Sequence, residues 1–219
     1  MLTANAYRAL AALLAYPETE LIGALDEIEA ELEVRVREKL VPLFAHLRGK
    51  SLVRLQEIYV DTFDRKPAHS LHLFEHIHGE SRDRGQAMVD LLDEYRHAGF
   101  EPDSTELPDY VPALIELLSV LYEGQRSFIL DDAVHVLAAL GGRLSHAGSP
   151  YAAIFELLVA ESRVAPKTLE SAPVRDMDEA MEMFGPSPEG VEPLLKPAAD
   201  IVRFYPDKNS AGVVPRRSI

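Results

Sequence analysis

The run His72-Leu-Phe-Glu-His76 has the form H-x-x-E-H. Histidines four residues apart lie on one face of a helix, the spacing at which two imidazoles can share a zinc ion. Glu75 would then serve as the general base of a hydrolase. The pattern still needs a third ligand. Glu80 follows too closely to be a distant helical ligand, which leaves Asp90 and Glu94 as conceivable donors. Without metal, His69, His72, His76 and His78 form a cluster beside Glu75 and Glu80. Such a cluster either makes ligand binding respond to pH, because imidazole titrates near neutrality, or consists of ordinary surface and capping histidines.

Two further constellations flank it. Glu80-Ser-Arg-Asp-Arg-Gly85 sets Arg82 and Arg84 at a helix start, where backbone N–H groups could receive an anion. Asp83 is interposed and no glycine-rich loop precedes it, so Arg82 and Arg84 read as scaffold that ties neighbouring helices by salt bridges. Glu106-Leu-Pro-Asp-Tyr110 places two carboxylates and an aromatic ring at a loop-to-helix junction. Asp109 there suits a helix dipole, or else forms the polar rim of a groove. No phosphate-binding loop, G-x-S-x-G elbow or dinucleotide fingerprint occurs. With no cysteine, disulfides, thiolate catalysis and Cys-ligated metal centres are excluded.

The formal net charge of −14 argues against nucleic acid and anionic membrane surfaces, both of which require cations on the protein. It favours a cationic partner, or serves solubility alone. Ten acids lie between Glu101 and Glu161, against Arg126 and Arg143 only. Beside apolar helix faces, that acidic run suits a basic amphipathic peptide laid in a groove. No window of 18 uncharged apolar residues exists, so no membrane insertion is expected, and the chain reads as cytoplasmic.

The elements that must position these residues are helical throughout. Apolar periodicity predicts helices over 4–16, 18–33, 36–47, 51–63, 70–78, 81–98, 108–122 and 131–142, and a last one that starts at Ser149-Pro150 with Ile154, Phe155 and Leu158 as its face, with no strand-like alternation. Ser51, Ser70, Ser81 and Asp131 read as N-caps, and Pro108 as a first-turn residue. Pro42 either kinks its helix or marks its true start. Residues 1–165 thus form one all-α bundle domain. Residues 166–219, which hold eight of the fifteen prolines, read as a loosely structured tail, with one short helix possible over Asp178 to Phe184.

Three runs carry a resemblance: Tyr59-Val-Asp-Thr-Phe-Asp64, Ser70 through Met88, and Glu106-Leu-Pro-Asp-Tyr-Val-Pro112. They resemble the NarJ family, the delta-subunit assembly chaperones of respiratory nitrate reductase, within the TorD-like redox-enzyme maturation chaperones. The resemblance implies a single-domain, all-helical, non-enzymatic protein with no catalytic residue, resident metal or cofactor. It implies binding to the catalytic alpha subunit of nitrate reductase, at its N-terminal twin-arginine remnant and elsewhere on the apoprotein. It further implies transient contact with the machinery that inserts the molybdenum cofactor, timing of membrane anchoring, and absence from the finished enzyme. A sister chaperone for a dimethyl sulfoxide or selenate reductase, and a permanent structural subunit, are the neighbouring readings. TorD-like relatives carry Glu-Pro-x-Asp-His near their peptide groove. Glu106, Pro108 and Asp109 look like its counterpart, with Leu107 inserted and Tyr110 in place of histidine. The residues expected to hold the peptide are Tyr59, Asp61, Phe63, Asp64, Leu71, Phe74, Glu75, His76, Glu106, Pro108, Asp109 and Tyr110.

Overall fold

The computed structural model describes residues 1–78, 83–97, 99–100 and 106–169. Helix α1 (Ala4–Leu14) starts at Thr3, whose Oγ1 accepts the Ala6 N–H at 3.2 Å. Its Tyr7, Leu10, Leu13 and Leu14 are fully buried, and it lies against α7 (Val111–Val120) as the centre of the bundle. Helices α2 (Thr19–Glu31) and α3 (Val34–Arg48) pack along one side. Pro42 sits inside α3 on its exposed side and does not begin it.

Ser51 caps α4 (Leu52–Tyr59) as the sequence predicts, through an Oγ contact with the Arg54 N–H. The helical stripe does not continue as α-helix to Phe63. Val60–Asp64 widens into a single π-helical turn, followed by a 3₁₀ turn at Pro67–His69. Such widened turns are frequent at functional sites, because they re-aim side chains without breaking the helix.

Three expectations need correction. Ser70 does not cap a helix through His78; its Oγ accepts the His72 N–H, and the helix there, α5, is only Glu75–His78. Pro108 is not in the first turn of α7. Residues 109–111 pair instead with 71–73, so α7 starts at Val111 and Pro112 takes the first-turn place. Asp131 caps nothing, because α8 runs unbroken from Glu123 to His146. Phe128 is exposed and Ile129 only partly buried, so the buried apolar stripe of α8 reads from Leu130 onward and hides its first two turns. Helix α6 spans Asp83–His97. The expected cap Ser81, with Glu80 and Arg82, lies outside the described residues, as do Glu101, Asp103 and the stretch Asp178 to Phe184.

Helix α9 (Ala152–Val159) closes the bundle against α8 and α3. Its contact with α8 is close enough to demand a glycine. A Cβ on Gly141 would stand 2.7 Å from the Phe155 Cβ, whereas one on Gly142 would meet nothing within 4 Å. The chain then turns back along α8. Ser162 Oγ and the Arg163 N–H donate to Asp131 Oδ1 at 2.8 Å each, and the Lys167 N–H donates to His135 Nδ1 at 3.0 Å. Among the described residues the architecture is all-α, with one isolated bridge between His72 and Tyr110, and no helix is long and apolar enough to cross a membrane.

The glycine pair gives a direct check on this packing. Gly141→Ala should cost about 1–3 kcal/mol, because Phe155 must shift within a filled core. Gly142→Ala should be neutral or stabilise by up to about 1 kcal/mol, because it removes helical backbone freedom in open space. Thermal melts should differ in that order, and equal melting temperatures would contradict the α8–α9 contact.

Candidate functional site

The 106–111 segment is held in place by the 71–74 segment. The Val111 N–H donates to the Leu71 carbonyl at 2.8 Å and the Leu73 N–H to the Asp109 carbonyl at 3.1 Å. The Asp109 side chain, with no exposed surface, completes the join. Its Oδ2 accepts the Phe74 N–H at 3.0 Å, and its Oδ1 lies 3.2 Å from His72 Nδ1. Tyr95 on α6 donates to the Pro108 carbonyl at 3.2 Å.

Tyr110 is thereby set against the end of α4. Tyr59 donates its phenol proton to the Leu14 carbonyl at 3.0 Å, so the Tyr110 hydroxyl is the donor to Tyr59 across 3.1 Å. The Tyr59 ring lies edge-on to Tyr16 at 5.4 Å and tilted on Phe63 at 4.8 Å, and Phe63 meets Tyr151 at 5.1 Å. Burial pushes the Tyr59 phenol up, with the Tyr110 hydroxyl adding to the effect, so Tyr59 stays a neutral donor.

Between these segments opens a cleft of about 420 Å³. Tyr59, Phe63, Leu71 and Tyr110 supply apolar and aromatic wall, and Asp64, Glu75 and Glu106 supply carboxylates. Asp64 and Glu106 are exposed and make no ion pair among the described residues. Their negative charge, with burial as the larger cause, raises the Tyr110 phenol. Glu75 is less exposed and lies 3.4 Å from Arg84, which supports the scaffold reading of that arginine.

Seven of the twelve expected residues therefore meet in one cleft, and five stand elsewhere. Phe74 and His76 are buried behind its wall, and Asp109 is internal. Pro108 contributes its carbonyl to Tyr95, and Asp61 faces outward, paired with Arg65 at 2.8 Å. Tyr16, Pro67, Ser70 and His72 line the cleft without having been assigned to a peptide site. Tyr16 had a readable signal, as an aromatic residue between the end of α1 and Pro17. A smaller cavity of about 210 Å³, between Glu94, Leu117 and Phe128, contains none of the expected residues.

The zinc arrangement is overturned by geometry. His72 precedes the helix and pairs with Asp109, so it shares no helical face with His76. The His76 ring is engaged at both nitrogens. Its Nε2 donates to the Ser70 carbonyl at 2.8 Å, and its Nδ1 accepts from Arg143 at 3.2 Å. His69 Nδ1 donates to the Thr62 carbonyl at 3.1 Å, and burial lowers its pKa. These histidines fasten backbone, and among the described residues no three His, Asp or Glu side chains are grouped as a metal would need.

Residues 29–156 match the family described as nitrate reductase delta subunit. The chain belongs to that family. Every cleft residue except Tyr16 falls inside the matched stretch. The chain is 43% identical over 147 residues to the NarW protein of Escherichia coli, covering 67% of this chain and 63% of that one. It is 40% identical over 155 residues to the E. coli protein named nitrate reductase molybdenum cofactor assembly chaperone NarJ, covering 70% and 62%. It thus spans a little under two thirds of the length of these relatives. A crystal structure described as a redox enzyme maturation protein from Archaeoglobus fulgidus aligns with a TM-score of 0.55 at 16% identity. That match covers 73% of this chain and 93% of the other, a likeness of fold.

Asp109 sets the pH response of His72. Its hydrogen bond is the largest influence on His72 and raises the imidazole pKa above 6.5, against burial, with Glu75 helping and Arg84 opposing. A raised histidine contributes stability that is fully present below the unfolded value, about 6.5, and lost as pH rises through the folded value. Asp109→Asn should therefore lower the His72 titration followed by NMR and flatten this part of the pH–stability curve. Asp109→Ala strands the Phe74 N–H and should cost about 2–4 kcal/mol. An unmoved His72 titration in Asp109→Asn would refute the pairing.

Proposed function

We propose that this chain is an assembly chaperone for respiratory nitrate reductase that works by binding a polypeptide and not by catalysis. In this reading it grips the N-terminal, twin-arginine-like segment of the catalytic alpha subunit and a further part of the apoprotein. It keeps that subunit open to molybdenum cofactor insertion, delays membrane anchoring in the cytoplasm, and leaves before the enzyme is finished. Family membership and the names of its relatives support the chaperone role.

The observation that carries the peptide reading is the cleft itself. Aromatic walls and exposed carboxylates at Asp64 and Glu106 line one space sized for one or two large side chains. An amphipathic basic segment would set apolar side chains against Tyr16, Phe63 and Tyr110, and its arginines against the rim. Arginine suits such a rim because its planar fork stacks on rings and pairs with carboxylates. Asp109 has a positioning role here, since it fixes Tyr110 and takes no contact with the peptide.

Titration calorimetry with a peptide copying the alpha-subunit N-terminus tests this. Binding should be measurable and weaken as salt rises, because rim charges are screened. Combining Asp64→Lys with Glu106→Lys should weaken it roughly 5- to 30-fold, the effect of reversing two exposed rim charges, and reduce the salt dependence. Absence of binding heat at any salt concentration would overturn the reading, and unchanged affinity in the double variant would move the site elsewhere.

A further inference from the structure

The chain carries its own basic, apolar segment. Residues 196–219 hold Lys196, Arg203, Lys208, Arg216 and Arg217 against Asp200 and Asp207, in a protein whose net charge is −14. The cations are interleaved with apolar residues, in Ile201-Val202-Arg203-Phe204-Tyr205 and in Val213-Val214-Pro215-Arg216-Arg217. That is the chemistry to which the cleft is complementary. The intervening stretch 170–195 has the opposite character, with seven acids and Arg175 as its one cation. Charge alone would therefore carry 196–219, and not 170–195, to an acidic rim.

The described end of the chain runs along α8 toward the helix end that adjoins the 67–76 side of the cleft. Ser162 is fastened at Asp131 and Lys167 at His135, so the strap travels along α8 toward the C-terminal end of that helix. At that end Arg143 donates to the Ala68 carbonyl and to His76, beside Pro67, Ser70 and Glu75 of the cleft wall. Leu169 still packs against the core. From there, 26 residues can reach at most about 86–94 Å, against a domain diameter of roughly 40 Å, so length is no obstacle.

We infer that the basic segment 196–219 docks at the Tyr59–Tyr110 cleft of the same chain, with one or two of its side chains inserted, and acts as an internal competitor for the basic segment of a partner. This inference rests on the reading that the cleft takes a basic apolar segment. Tethering makes weak contacts sufficient. A linker of this kind gives an effective concentration of about 1 mM, so an intrinsic dissociation constant near 0.1 mM would fill the cleft roughly nine-tenths of the time. An incoming peptide would then bind about tenfold more weakly than to an open cleft. A second copy is the poorer occupant, since it brings another strongly acidic body to the same rim.

The test uses the full chain and a zero-length carbodiimide, which joins lysine to carboxylate. In the monomer fraction, Lys196 or Lys208 should become linked to Asp64 or Glu106, with yield falling as salt rises. The Lys39–Glu156 pair, 3.8 Å apart, should link in every sample as the internal control. Arg216→Glu with Arg217→Glu should abolish these cleft links and tighten binding of the alpha-subunit N-terminal peptide about tenfold. Absent cleft links beside a linked control, or cleft links confined to a dimer fraction, would overturn the inference. So would peptide binding that the double variant leaves unchanged, and in that case the cleft's peptide role would survive. Cleft links without any peptide binding would support the internal competitor and remove the proposed client.

Discussion

A single buried carboxylate joins two stretches of chain that are 35 residues apart in sequence. Asp109 has no exposed surface, yet both its oxygens are engaged, one by the Phe74 N–H and one by the His72 ring. Burying such a group is costly unless its lone pairs are satisfied, and satisfied groups of this kind fix a unique local geometry. Here the geometry fixed is the pairing of residues 71–73 with 109–111, and with it the position of Tyr110. Tyr110 closes one side of the cleft and ties to Tyr59, which reaches back to the last turn of α1. The cleft thus rests on the central helix through two phenols and on α6 through Tyr95.

The histidine-rich run takes its meaning from the same join. His69, His72 and His76 each use a ring nitrogen to hold either backbone or Asp109, so the region is stitched by side chains where regular helix is lacking. Between Asp64 and Glu75 the described chain has only one short 3₁₀ turn, and its backbone groups need partners from elsewhere. That irregular stretch borders the cleft that opens between the π-helical turn and the 106–110 segment. Two neighbouring arginines are engaged away from the rim carboxylates, Arg65 with Asp61 and Arg84 with Glu75.

Much of this was legible in the sequence. The stripes of α1, α3, α4 and α6, the Ser51 cap and the clustering of chemistry between Tyr59 and Tyr110 follow from periodicity and residue type. The misreadings share one physical source: long-range pairing overrode local signals. Pro108 looks like a first-turn proline, but residues 109–111 are drawn into a bridge that local propensity cannot foresee. Asp131 looks like a cap because its true partners, Ser162 and Arg163, arrive from a later turn of the chain. His72 and Glu75 look like a zinc motif because spacing in sequence does not reveal that helix begins only at Glu75. At the site, residue type identified the aromatic and acidic wall, but it could not separate Asp109, which is internal, from Asp64 and Glu106, which face outward.

Binding of a basic segment between the π-helical turn and the 106–110 segment would leave a hydrogen-exchange footprint on those stretches. With the alpha-subunit N-terminal peptide at saturation, backbone amides of 59–64, 70–73 and 106–110 should exchange more slowly, while those of α2 and α3 stay unchanged. Protection confined to the α6–α7–α8 end around Phe128, with no change at Tyr59 or Tyr110, would contradict the account.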